Sequence, residues 1–165
     1  VAQFNQYIAT HNYIVTTSAT VADTVYYIPI MIPYPMHLED IGVEVISETS
    51  AVCEVGIYST DRGFIKDKLV SNILTANSKG YRSTRISITL GEGFYFFAIL
   101  ADSTPDIRGT FADYSNILGM PDAIDSNRYS CYKESRAYSE GLPTTPGTIS
   151  LSTDRAPRII ARVTE

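Results

Sequence analysis

The sequence predicts an all-β fold, an antiparallel β-sandwich of jelly-roll type with a long, loop-rich C-terminal third. Three observations carry this. Apolar and polar residues alternate in segment after segment, turn-forming clusters separate those segments, and no helical period holds convincingly for more than about three turns. The 165 residues, 44% of them hydrophobic and 19% charged, fit one domain with a core that needs no staples.

From the N-terminus, Phe4 to Thr17 reads as extended, with Tyr7, Tyr13 and Val15 among β-formers. Residues 1–23 are therefore set apart as an extended N-terminal segment joined to an upstream part, and residues 24–165 as the sandwich domain. The chain opens on Val1 and shows no signal-peptide pattern, so a processed piece of a longer protein is expected.

Ile41, Val43 and Val45 alternate with Gly42 and Glu44. Cys53, Val55 and Ile57 alternate with Glu54, Gly56 and Tyr58, and Ile86, Ile88 and Leu90 with Arg85, Ser87 and Thr89. Each reads as a half-buried strand. Turn signals lie between them at Glu48-Thr-Ser50, Asp61-Arg-Gly63, Asn77-Ser-Lys-Gly80 and Gly91-Glu-Gly93, the last read as a tight hairpin from Leu90 to Phe94.

Tyr26 to Met31 and Phe94 to Ala101 are apolar on both faces, so they are covered either by a loop or by another subunit. Residues 64–76 admit a helix, through Ile65, Leu69 and Ile73, or a strand, and the strand is favoured. Beyond Ser103 the pattern dissolves among Pro105, Pro121, Pro143, Pro146 and Pro157. It returns as a closing strand at Arg158 to Thr164.

Catalytic chemistry is sparse. His11 and His37 are the two histidines, and no GxSxG, HExxH or Cys/His set occurs, so no catalytic residue is assigned and a non-enzymatic role is expected. Glu44, Glu48 and Glu54 have strand spacing that directs them to a solvated sheet face. Cys53 and Cys131 are either separate core thiols or a disulfide. No metal site is assigned, although Asp122, Asp125 and Asn127 in the 121–128 loop offer oxygen ligands of the kind Ca²⁺ takes. No cofactor is expected. With a net charge of −5 and no concentrated basic face, nucleic acid is an unsuitable partner, and no apolar run is long enough for membrane insertion.

Aromatics stand out, with 12 Tyr and 6 Phe but no Trp. Tyr26, Tyr27, Tyr58 and Tyr95 fall in strands and suit core or interface. Tyr114, Tyr129, Tyr132 and Tyr138, with Arg128, fall in the loop-rich region, where they are candidates for an exposed ligand-binding surface or for closure of the core by folded-back loops.

Four segments, Ile41-Gly-Val-Glu-Val45, Val55-Gly-Ile-Tyr-Ser59, Ile88-Thr-Leu-Gly-Glu-Gly-Phe-Tyr95 and Phe97-Ala-Ile-Leu-Ala-Asp102, occur in an order that resembles a β-sandwich module of tail-fibre, head-fibre and decoration proteins of tailed bacteriophages. The likeness spans roughly residues 24–102, and Gly141-Leu-Pro143 with the Pro157-to-Val163 strand resembles the module's ending. It implies a virion surface protein assembled in the host cytoplasm, commonly a homotrimer and a partner of other virion proteins, that projects from the particle or binds host-surface glycan. It transfers no ligand-binding or catalytic residue. Attachment is thus the leading expectation; a decoration protein without host ligand and a carbohydrate-binding module of a polysaccharide-degrading enzyme are the alternatives.

Overall fold

The computed structural model of the chain describes residues 6–11, 16–17, 20–110 and 130–164. The fold is all-β, two antiparallel sheets packed face to face. In chain order the strands are β1 (Gln6–Ala9), β2 (Thr16–Thr17), β3 (Thr24–Ile32), β4 (Met36–Ser47), β5 (Val52–Asp61), β6 (Phe64–Thr75) and β7 (Gly80–Leu90). There follow β8 (Gly93–Ala101), β9 (Asp106–Thr110), β10 (Cys131–Ser135), β11 (Ser150–Ser152), β12 (Ala156–Pro157) and β13 (Ile159–Thr164). Among the described residues, helical structure is confined to a 3₁₀ turn at Tyr138–Glu140.

The six-stranded sheet runs β11-β10-β3-β8-β5-β6. The seven-stranded sheet is organised on β4, which pairs β7 along one edge and β13 and then β9 along the other. β1 flanks β13, and β2 and β12 flank β9, so the described parts of the N-terminal segment are strands of this sheet.

The predicted alternation places the core. Ile41, Val43 and Val45 of β4 meet Cys53, Val55 and Ile57 of β5 and Tyr26, Ile28 and Ile30 of β3 in one cluster between the sheets. Both cysteines belong to it, free and buried, with their thiols pushed up to about 12 (Cys53) and about 11 (Cys131) chiefly by burial. Of the alternatives for residues 64–76, the strand forms.

Two readings of the connections need correction. Gly91-Glu-Gly93 is no hairpin, because β7 pairs with β4 in one sheet and β8 with β3 and β5 in the other; the turn carries the chain across the core. Local sequence shows a tight turn but not which partner the next strand takes. The loop-rich region also holds four short strands, β9 to β12. At two to five residues each they are too short for alternation to stand out.

Asp61-Arg62-Gly63 does close a hairpin: Arg62 at φ 51° and Gly63 at φ 85° give the left-handed pair that matches strand twist.

β3 and β8 sit in the middle of the six-stranded sheet, and their double-sided apolarity is met within the chain. On the face away from the main core, Val25, Tyr27, Tyr58, Phe96, Ala98 and Leu100 form a second buried cluster with Leu142; Tyr132, Tyr138 and Ile149 pack around it. Residues 136–149 thus lie as a strap over that face.

Because the strap brings polar backbone onto an apolar sheet, it needs partners there. The Tyr58 hydroxyl donates to the Pro143 carbonyl at 2.5 Å, and the Tyr27 hydroxyl to Glu134 Oε2 at 2.7 Å. The other Glu134 oxygen accepts from the Gly147 amide at 3.1 Å. Glu54, expected on a solvated face, does point away from the main core, but the strap covers it. Its Oε2 accepts from the Leu142 amide at 2.7 Å and its Oε1 from Ser71 Oγ at 2.8 Å. Lys68 Nζ donates to the Leu142 carbonyl at 2.9 Å.

Two outcomes follow. A Cβ on Gly42 would lie 2.0 Å from the Arg82 carbonyl oxygen across the β4–β7 pair, whereas one on Gly91 would meet nothing closer than 4.0 Å. Gly42→Ala should therefore cost at least about 2 kcal/mol in urea unfolding and Gly91→Ala less than about 0.5 kcal/mol. Tyr58→Phe strands the Pro143 carbonyl and should cost about 1–3 kcal/mol. It should also speed tryptic cleavage after Arg136, at the start of the strap; an unchanged cleavage rate would refute the anchoring role.

Candidate functional site

A cleft lies at the β10–β11 margin of the six-stranded sheet. It has a volume of about 620 Å³, opens to solvent, and is lined by Thr24, Tyr26, Lys133, Glu134, Ser135, Thr148, Ser150 and Asp154, with the exposed Val21 at its lip. That volume falls in the range of small-molecule sites, roughly 300–1,000 Å³.

Strand register assembles it. Tyr26, Lys133 and Ser150 are direct neighbours across β3, β10 and β11, so their side chains share one face. Asp154 comes from the turn after β11. Ser130 Oγ donates to the Asp154 carbonyl at 2.6 Å, and the Asp154 amide donates to Ser152 Oγ at 3.2 Å, which holds this turn in place. Lys133 Nζ then donates to Asp154 Oδ2 at 3.2 Å, with 40% and 44% of the two side chains exposed. Tyr26, buried at the back, accepts the Val21 amide on its hydroxyl at 3.2 Å, and burial holds its phenol above the usual range.

The candidates read from sequence fall elsewhere. Tyr132 and Tyr138 are half-buried around the second cluster, Tyr132 tilted against Phe96 at 5.9 Å between ring centroids. Tyr114, Tyr129 and Arg128, and the candidate metal ligands Asp122, Asp125 and Asn127, lie outside the described residues. Among the described residues no three His, Cys, Asp or Glu side chains are grouped as a metal ion requires, and no helix is long and apolar enough to cross a membrane. The Lys133–Asp154 cleft was missed because its parts are two isolated charges 21 residues apart in a stretch without visible periodicity.

His37 sits in a polar row on β4 and β7. Its Nδ1 is 2.9 Å from Thr89 Oγ1, and its Nε2 is 3.3 Å from Glu39 Oε2 and 3.4 Å from Ser87 Oγ. Arg85 pairs the other Glu39 oxygen at 3.0 Å. Carboxylate and serine converge on the same ring nitrogen, whereas a nucleophile relay needs them on opposite ones.

His11 is buried, its Nδ1 has no hydrogen-bond partner among the described residues, and the Arg158 Nε–H binds its carbonyl at 2.9 Å. Burial, helped by the Arg158 charge, lowers its pKa from 6.5 to about 4.

Neither a scan against protein-family models nor a search of curated proteins finds a match for this chain.

The His11 shift has a definite sign. The unfolded chain takes up the proton near pH 6.5 and the folded one near 4, so the fold is penalised as pH falls through that window. The full penalty is on the order of 3 kcal/mol. His11→Phe should flatten this part of the stability curve in urea melts between pH 7 and 4, and equal slopes for both proteins would contradict it.

Proposed function

We propose that the chain is a structural domain of a virus-particle surface, of the bacteriophage fibre type, that attaches the particle to its host by binding surface glycan. The observation that carries this reading is the solvent-open cleft at the β10–β11 margin, where polar side chains converge on a sandwich whose central strands are largely covered by its own chain. A rigid sheet that holds hydroxyl, acid and base side chains at a strand margin suits recognition of a polar ligand more than it suits catalysis. The order of strand and turn motifs over residues 24–102 supports the virion assignment.

On this reading the domain works as a homotrimer. The strap occupies most of the outer face of β3 and β8, so contact between copies falls to what it leaves bare: Met31, 48% exposed, and its cross-strand neighbour Phe94, 41% exposed. The same apolar tip, extended by Tyr34 and by Phe64 at 76% exposure, favours a second reading, a decoration domain that docks on other virion proteins and has no host ligand.

Host-cell adsorption by the purified chain, run beside a light-scattering mass, separates these. Saturable adsorption by a trimer is the expected result. Saturable adsorption by a monomer would keep attachment and remove the trimer. Absence of adsorption would overturn attachment in favour of decoration.

A further inference from the structure

We propose that the Lys133–Asp154 cleft takes a neutral sugar ring, held through two adjacent hydroxyls; this rests on the glycan-attachment reading and names its ligand class and contact residues. The cleft presents one cationic and one anionic head 3.2 Å apart, while Glu134, which also lines it, has both carboxylate oxygens taken by the Tyr27 hydroxyl and the Gly147 amide, so the charge left to meet a ligand is close to balanced. An ammonium donates and never accepts, and a carboxylate only accepts. Neighbouring ring hydroxyls each do both, so one can donate a hydrogen bond to Asp154 while the other accepts one from Lys133.

The pair is built to be reached. Both side chains are under half exposed, and among the described residues Lys133 Nζ spends one N–H on Asp154, leaving donors for a ligand. Asp154 Oδ1 remains as an acceptor beside the bonded Oδ2. Two serines hold the backbone of the Asp154 turn, so its carboxylate is positioned before a ligand arrives.

Around this pair the lining matches a polyhydroxylated ring. Thr24, Thr148 and Ser150 add hydroxyls that donate or accept as required, and Val21, 52% exposed at the lip, offers an apolar contact to the C–H face of a sugar. A phosphate or other dianion would meet Asp154 as a like charge, and a cation would meet Lys133.

The test titrates the full chain with neutral methyl hexosides and neutral oligosaccharides, and in parallel with sialylated and uronate-containing ones. Wild type is compared with Asp154→Asn, Lys133→Met and, as a remote control, Lys79→Ala. Saturable binding of neutral sugars, weakened roughly tenfold or more by each cleft substitution and unchanged by Lys79→Ala, is expected. An exposed ion pair contributes little to stability, so thermal midpoints should stay within a degree or two of wild type; each cleft substitution serves as the check if the other perturbs the fold.

If wild type binds neutral sugars and both cleft variants bind them equally well, the cleft assignment fails while attachment stands. If it binds only acidic sugars, and Asp154→Asn strengthens that binding, the neutral-ligand class fails. If it binds no glycan at all, the attachment reading fails and takes this inference with it.

Discussion

β3 and β8 are apolar on both faces and lie at the centre of a sheet, so each face must be covered. The opposing sheet covers one. The other is closed by residues 136–149, and this obliges the protein to bury polar backbone on an apolar surface. Glu54 and Glu134 resolve the conflict by accepting strap amides, and Tyr27 and Tyr58 by spending their hydroxyls on Glu134 and on the Pro143 carbonyl. The two tyrosine rings meet edge to face at 5.2 Å, so the same residues supply apolar area and polar anchorage. Burial, joined by the Glu134 hydrogen bond at Tyr27 and by the Glu54 and Glu134 charges at Tyr58, pushes both phenols well above their ordinary range, which keeps them protonated as donors.

The same constraint explains the sheet order. β10 pairs β3 and leads directly into the strap, with the Arg136 amide bonded to the Asp23 carbonyl and the Tyr138 amide to Asp23 Oδ1 at 2.7 Å. A short β11 ends this edge, and three residues of exposed ladder give little template for edge-to-edge association. On the other sheet β4 carries partners on both edges, and the close passage of β7 leaves no room for a side chain at position 42.

Period-two alternation made β4, β5 and β7 legible, because each has one face in the core and one outside it. The double-sided pattern of β3 and β8 announced a cover without saying which; the strap is rich in Pro, Gly and Thr and carries no pattern of its own. Glu54 was misread for a related reason: alternation tells which face a residue points to, not whether that face is wet. Gly91-Glu-Gly93 looks like a hairpin because a turn's chemistry is local, while the partner of the strand beyond it is a matter of sheet assembly. The cleft was illegible because register, not spacing, joins Tyr26, Lys133 and Ser150. Tyr132 and Tyr138 were noticed for being aromatic, and their half-burial against Phe96 and Leu142 gives that aromaticity a packing role.

One strand therefore serves both ends of the argument. Along β10, Cys131 enters the main core and Lys133, two residues on, points to the same face and into the cleft; Tyr132 packs on the second cluster and the Glu134 carboxylate bonds Tyr27 and the strap amide of Gly147. A one-residue slip of β10 against β3 would exchange the strand's faces and place the Lys133 charge under the strap. Tyr27, buried with its hydroxyl on Glu134, opposes that slip, because it would leave a phenol without an acceptor. The bond from Tyr27 to the Glu134 carboxylate, which also accepts the Gly147 amide of the strap, thus helps fix the register that sets Lys133 beside Asp154, so the cleft and the strap depend on the same strand.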